Sequence, residues 1–348
     1  MYHIIVNPIA GRGRTLNKLP LLTRLFDIQK VPYEVLVTEC AMDAYEKAKT
    51  VCKAGSDGVI GIGGDGTIQE IVAGMVDAFD GTVPVPLGIF PGGSGNDFVM
   101  TLAGGKKQAL ARYKKKNEET SAAEFVAAIT KNRTFATDII KVCGMAYLNI
   151  GNLGLDARVV RNAIAYKQRF GRYAYVAAVY KSIAQHNNMP LSIEIDGEVI
   201  EGDYTLVAVC NGQYYGGGLH ICPDARLDDG KITLCLAKAM SRPKTMTIFP
   251  YLMLGRHHRL KAVSFAQGED VKIRLKNGVE CISLDGNLHE VIGSEIAGQP
   301  SPPLQTGPEA FADCRSNGKR FLSPYQLPGA EKGELHFQIM PRALNIFL

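Results

Sequence analysis

Three glycine-rich loops constrain the fold of this chain more than any other feature: NPIAGRGR (residues 7–14), GGDGT (63–67) and PGGSGND (91–97). Each follows a short apolar run. Tyr2–Val6, Gly58–Ile62 and Val85–Phe90 read as strands, as does Tyr33–Thr38. Between them Leu16, Leu19, Leu22 and Phe26 recur at helical spacing, Ala41–Ala54 reads as a helix, and Ile68, Ile71, Val72 and Met75 form one apolar stripe. Alternating strands and helices with short links predict a parallel sheet covered on both faces. In such a sheet the C-terminal strand ends share one edge, where the three loops can converge.

After about residue 134 the texture changes. Thr134–Val142, Tyr147–Ile150, Leu191–Ile195, Tyr204–Cys210, Lys231–Ala237, Asp270–Lys276 and Glu280–Leu284 are strand-like, with DG and NG turns between many of them. One helical stretch, Ala157–Gln185, interrupts the strands. The expected architecture is α/β: a Rossmann-like parallel-sheet domain over residues 1–133, then a mostly β, sandwich-type domain over 134–340. Residues 291–333 are rich in Gly, Pro, Ser and Glu and read as an inserted loop, after which 341–348 return to the first domain.

Composition narrows the setting. With 46% apolar and 21% charged residues the chain reads as a soluble globular protein, and it contains no run of about eighteen apolar residues. MYHIIVNPIAGRGR lacks the order of a signal peptide. The eight cysteines are scattered, with no C-x-x-C pair, which argues against zinc or a disulfide framework and for a reduced, cytoplasmic chain. A net charge of +5 does not call for nucleic acid, but suits an anionic substrate or membrane surface.

GIGGDG at 61–66 fits the spacing of a dinucleotide-binding turn, yet the next strand, VPLGIF, runs into Pro91 and glycine rather than the acidic residue that a ribose would need. A Walker A loop is absent. The remaining reading is convergent loops whose backbone N–H groups cradle phosphates. Asp65 and Asp97 would repel a polyphosphate unless Mg²⁺ lay between, although Asp97 also reads as a helix N-cap. Arg12 and Arg14 could reach phosphate or simply face solvent.

These loops, with NLGLDA (152–157), NGQYYGGGLHICPDARLDDGKI (211–232) and LDG (284–286), resemble in order and spacing the signatures of the diacylglycerol kinase catalytic domain, shared with sphingosine kinases and bacterial lipid kinases. The resemblance spans nearly the whole chain apart from 291–333 and implies an NAD-kinase/diacylglycerol-kinase-like fold. It implies transfer of the γ-phosphate of ATP to a lipid hydroxyl, diacylglycerol first among acceptors, with Mg²⁺. On this resemblance Asn7, Gly11, Gly63, Gly64, Gly66, Thr67, Gly93, Ser94 and Asn96 line the ATP site, joined by Arg12 and Asp97. Asp65 organises Mg²⁺ and Asp285 is the general base, though a DG pair also makes a hairpin turn. A structural Mg²⁺ is implied at Asp229, with Asp228 beside it, where the two also suit a plain turn. One departure stands out: Asn287 occupies a position where the family carries Glu, with Glu290 nearby but outside the pattern.

Two basic segments bear on the partner. DARVVRNAIAYKQRFGRYAYVAAVYK carries Arg158, Arg161, Lys167, Arg169, Arg172 and Lys181 among apolar residues, and suits a membrane interface or a solvated amphipathic face. RHHRLK (256–261) adds a second cluster, whose His257 and His258 would point to opposite faces of a strand. Lys114–Lys116 reads as solvated. The partners expected are a lipid substrate at the inner face of the membrane, reached peripherally, and no nucleic acid, with a homodimer left open. Two alternatives remain: a soluble-substrate kinase of the NAD kinase type, and a nucleotide-binding regulator without turnover.

Overall fold

The computed structural model describes residues 1–79, 81–113, 118–170, 174–276, 279–292, 325–327 and 333–348. In the N-terminal half, β1 (Tyr2–Val6), β2 (Tyr33–Val37), β3 (Gly58–Gly63) and β4 (Val83–Pro91) alternate with α1 (Arg14–Ile28), α2 (Asp43–Lys53) and α3 (Asp65–Ala78). The strands pair in parallel in the order β2-β1-β3-β4. Successive side chains serve opposite faces, as the period-2 geometry of a strand requires. Ile5 and Val59 pack with α2 and α3 through Ala44, Ala48, Ile71 and Met75. Ile4, Val6, Ile60 and Ile62 pack with Leu22 and Phe26 of α1 and with Phe125. Burial on both faces explains why GVIGIG carries no polar side chain. Three helices left unassigned by periodicity follow: α4 (Asp97–Leu102), α5 (Lys106–Arg112) and α6 (Glu118–Thr130).

The C-terminal half begins with β5 (Thr134–Val142), β6 (Met145–Tyr147) and β7 (Ile150–Gly154), then a helix pair, α7 (Leu155–Phe170) and α8 (Ala174–Gln185). The single helical stretch expected over 157–185 is thus two helices that pack on each other. Next come β8 (Met189–Ile195), β9 (Glu198–Cys210), the two-residue strands β10 (Tyr214–Tyr215) and β11 (Leu219–His220), and β12 (Ile232–Lys238). The chain continues through α9 (Arg242–Met253), β13 (Val263–Gly268), β14 (Asp270–Leu275), β15 (Val279–Leu284), β16 (Asn287–Ile292), β17 (Tyr325–Gln326) and β18 (Glu334–Phe347). Most of these strands pair antiparallel, in the order β16-β15-β7-β9-β8-β14-β18, with β12 and β13 added alongside β9. Their inward residues, among them Leu191, Val207, Leu234, Ile273 and Phe337, form a core of their own. The molecule is therefore a parallel-sheet α/β unit followed by a β-rich unit.

The last strand joins the two. β18 first pairs antiparallel with β14, through Asp270↔Gln338 to Arg274↔Glu334. Past a register shift between Met340 and Leu344 it pairs in parallel with β4, through Leu344↔Val83 and Ile346↔Leu87. β5 runs antiparallel to it on both sides of the shift. Of the region expected as an inserted loop, β16 extends to Ile292 and Tyr325–Gln326 pairs in parallel with His289 and Glu290. Residues 293–324 and 328–332 lie outside the described residues.

Two local expectations are corrected. Tyr147–Ile150 is not a continuous strand: it breaks at Leu148 and Asn149, whose N–H groups turn toward Asp285. His257 and His258 sit in a 3-10 turn rather than a strand; His257 is buried, its Nε2 2.8 Å from the Ile221 carbonyl. Among the described residues no helix is long and apolar enough to cross a membrane.

Candidate active site

The glycine loops meet at the strand ends. A Cβ added to Gly11, whose φ is +57°, would lie 2.1 Å from the Gly92 carbonyl oxygen, and one on Gly93 would lie 2.4 Å from the Gly64 Cα. The first loop therefore touches the third, and the third touches the second, at distances that only hydrogen side chains allow. Polar side chains fasten the contact. Asn7 Nδ2 donates to Thr67 Oγ1 at 2.9 Å, and Thr15 Oγ1 donates to the Asn7 carbonyl at 2.6 Å. Asn96 closes PGGSGND on itself, accepting from the Gly93 N–H at 2.9 Å and donating to the Gly93 carbonyl at 3.1 Å.

Asp65 begins α3 and reaches the start of α4, where its two oxygens accept from the N–H groups of Asn96 (2.8 Å) and Asp97 (2.7 Å). It thereby caps α4 from a distance, complementing the positive end of that helix. Asp97 is consequently not a cap of its own helix. Its carboxylate faces the other lobe and accepts from Gly217 and Gly218, 2.7 Å at the closest, in the turn between β10 and β11. Burial raises the pKa of both carboxyls, and the charge of Asp65 adds to the rise at Asp97.

Asp285 comes from the β-rich half. Asp285 and Gly286, with φ of +47° and +96°, form the two-residue turn between β15 and β16, bounded by the Leu284↔Asn287 pair. The turn and an inward carboxylate coexist. Asp285 accepts from the N–H groups of Leu148 (3.0 Å), Asn149 (3.2 Å) and Ile150 (2.7 Å). Those donors stabilise the ionised form, but burial outweighs them and, with the charge of Asp65, pushes the pKa up to about 7. Asp285, Asp65, Gly63, Gly64 and Leu148 line one narrow crevice between the lobes. A cavity of about 580 Å³ neighbours it, also walled by Asn96 and lined by Arg14, Lys18, Ser94 and Lys106.

Several of these residues carried no sequence signal. Lys18 Nζ donates to the Pro91 carbonyl at 2.7 Å and Lys106 Nζ to the Gly217 carbonyl at 3.0 Å, so two lysines outside any motif flank the phosphate-type loop. Asn287 Nδ2 donates to the Gly66 carbonyl (3.0 Å) and to Gln69 Oε1 (2.7 Å), and buried Gln69 donates on to the Ala146 carbonyl at 2.9 Å. A Glu at 287 would lack both donors. The departure from the family pattern is thus a clasp that ties the Asp285 hairpin to the second glycine loop.

The other expected residues divide between the cavity and the rest of the surface. Arg12 is exposed and lines neither the crevice nor the cavity, while Arg14 donates through Nε to the Gly11 carbonyl at 2.8 Å and lines the cavity. Asp228 is half-buried and Asp229 exposed, the latter accepting from the Lys231 N–H at 3.1 Å within a local turn. Next to them stands Asp138, unnoticed in the sequence, whose oxygens accept from Gly230 and Arg342 N–H groups, each at 2.7 Å. Among the described residues no three His, Cys, Asp or Glu side chains are grouped to hold a metal. Arg158 does not face solvent as part of a basic row: it pairs with Glu280 and donates to the Gln185 carbonyl. The side chains of residues 163–176, including Lys167, Arg169 and Arg172, lie outside the described residues, as do Lys114–Lys116.

Comparison with known proteins follows the same division of the chain. The Diacylglycerol kinase catalytic domain profile matches residues 1–142, and the YegS C-terminal NAD kinase beta sandwich-like domain profile matches 150–302. The chain carries a diacylglycerol kinase catalytic domain followed by a YegS C-terminal-type domain. The chain is 27% identical over 314 residues to a diacylglycerol kinase of Mycobacterium tuberculosis, covering 85% of this chain and 92% of that one. It is 24% identical over 294 residues to a diacylglycerol kinase of Bacillus subtilis, covering 84% and 91%. Its fold superposes on the crystal structure of a diacylglycerol kinase from Bacillus anthracis with a TM-score of 0.63 at 20% identity, over 99% and 96% of the two chains. The matched catalytic domain and the relatives named diacylglycerol kinase support a kinase acting on a lipid.

Proposed function

We propose that the protein transfers the γ-phosphate of ATP to a lipid hydroxyl, with diacylglycerol as acceptor and phosphatidic acid as product. The observation that carries this reading is the crevice in which Asp285, from one lobe, faces the glycine loops of the other. Phosphoryl transfer asks a protein for positioning and charge neutralisation. The close-packed loops offer backbone N–H groups to phosphate, and Arg14, Lys18 and Lys106 supply positive charge along the cavity. Asp285 takes the proton of the acceptor hydroxyl, the alkoxide oxygen bonds to the γ-phosphorus, and the bond to the bridging oxygen breaks to release ADP. Three backbone donors hold the carboxyl so that one orientation serves this proton transfer.

The residues also fit a hydrated Mg²⁺. The oxygens of Asp65 accept from the N–H groups of Asn96 and Asp97, and a carboxylate so oriented suits the waters of a cation that dehydrates reluctantly. When bound, Mg²⁺ supplies charge neutralisation at the phosphates. Asp228 and Asp229, beside Asp138, are the candidates for a second, structural ion. The lipid acceptor implies work at the cytoplasmic face of a membrane, reached peripherally.

Asp285→Asn with labelled ATP and diacylglycerol vesicles is the decisive experiment. Its kcat should fall ~10²–10⁴-fold, the value of a positioned base, with nucleotide binding retained. Wild-type turnover in that variant, or label appearing on NAD instead of lipid, would refute the assignment.

A further inference from the structure

Helix α9 is apolar on two faces. One face is anchored: Phe249 packs against the cluster of Leu155, Val159 and Ile183, and Ile248 and Leu252 against that of Leu219 and Tyr215. The opposite face carries Met246, Pro250 and Leu254 at i, i+4 and i+8, with Tyr251 beside them. Leu254 is 68% exposed, Tyr251 49% and Met246 39%. A surface helix normally places polar residues on the side away from the core. From Thr245 to Leu254 none of the ten residues is charged.

Charge brackets this apolar stretch. Arg242 and Lys244 precede it, and Arg256, Arg259 and Lys261 follow. Ser241–Gly268 contains no Asp or Glu at all, so five cations stand in 28 residues without a carboxylate, against a net charge of +5 for the whole chain. Among the described residues none of these five forms an ion pair, and all five are exposed. An exposed apolar stripe framed by unpaired cations matches the interface of an anionic bilayer, which offers acyl chain to the stripe and phosphate to the frame.

The helix is also wired to the active site. At its C-terminal end the ring of His257 meets the Ile221 carbonyl, and Gly255 lies against His220 of β11. The turn between β10 and β11 donates the N–H groups of Gly217 and Gly218 to Asp97. One short hairpin thus separates the exposed helix from the carboxylate pair.

We propose that α9 and its flanking cations are the surface by which the protein docks on anionic phospholipid bilayers, the apolar stripe Met246, Pro250, Tyr251 and Leu254 entering the headgroup region. The purpose of this docking rests on the lipid-kinase reading; its detection does not. The test is flotation of the full-length protein, without nucleotide, with phosphatidylcholine vesicles containing or lacking phosphatidylglycerol. Wild type should float with the anionic vesicles and be released as salt screens the cations. Lys244→Glu/Arg256→Glu/Arg259→Glu should weaken that binding at least about thirtyfold, given the usual worth of a basic residue at such a surface. Met246→Ser/Tyr251→Ser/Leu254→Ser should weaken it even where the cations remain. Both variants should phosphorylate monodisperse dioctanoylglycerol within about twofold of wild type, since neither set touches the crevice. Wild-type flotation by both variants overturns the proposal, and so does a protein that phosphorylates dioctanoylglycerol but floats with no vesicle. Light scattering covers the rival occupant: a dimer that the serine variant dissolves while vesicle binding persists would make this face a self-interface and overturn docking. Flotation without any phosphorylation leaves docking standing and removes the kinase reading instead.

Discussion

Asp285 is held by three backbone donors and still titrates near neutrality, because burial and the charge of Asp65 together outweigh the donors. In its proposed role as base Asp285 works only when deprotonated, so kcat/KM should rise with pH through an acid limb centred near 7, the free enzyme's value. Removing the neighbouring charge favours the ionised form. In Asp65→Asn the limb of the residual activity should therefore move to lower pH, whereas loss of a purely structural residue would scale the profile without moving it. A pH profile of kcat/KM for the two proteins measures the difference. A limb unchanged by Asp65→Asn would separate the two carboxylates electrostatically and undo the shared-crevice account. Lys18 and Lys106 act at this scale too, but neither belongs to a motif; only the folded chain sets them beside Pro91 and Gly217.

At the scale of elements, the β15–β16 hairpin is fixed to α3 by Asn287, whose amide donates to Gly66 and Gln69. Asn287→Asp keeps the shape and loses the donors, setting a carboxylate against two acceptors; unmade hydrogen bonds in such a place cost about 1–3 kcal/mol each. Its kcat should drop roughly tenfold to a hundredfold with KM for ATP changed less than about twofold, because hairpin placement suffers and the glycine loops do not. Asn287→Ala, which adds no charge, should be the milder variant; steady-state kinetics of both decides. Elements with a clear period were legible in the sequence: β1 and β5 fall at the expected residues, and β3 runs one residue further than read. Others were not, for physical reasons. TMTIFPYLML has no single apolar face, so its period gave no helix. Leu148 and Asn149 look like strand residues, and only the distant Asp285 diverts their N–H groups. The three glycine loops could be predicted to share an edge, but the Asn287–Gln69–Ala146 bridge between lobes could not, since amides carry no pattern.

Across the whole molecule, buried carboxyls make stability depend on pH. Burial pushes Asp156 of NLGLDA and Glu70 of α3 up to about 7, as it does Asp285. For an acid whose folded pKa lies above its unfolded value near 4, the folded state holds the proton longer. The favourable contribution is complete below the unfolded pKa, declines as pH rises through the interval, and is gone above about 7. The nucleotide-free protein should therefore melt at a lower temperature at pH 8 than at pH 5. Asp156 isolates the effect, because it is buried beside Tyr215 rather than in the crevice, and one of its oxygens lacks a partner among the described residues. Its shift corresponds to at most about 4 kcal/mol across the full interval. Asp156→Asn cannot ionise, so its melting temperature relative to wild type should climb by several degrees between pH 5 and 7 and stay level above. Calorimetry of the two proteins over that range is the measurement. A constant difference would mean that Asp156 keeps an ordinary carboxylate pKa in the folded chain, and that the NLGLDA segment is wetter than its packing against β9 and β15 requires.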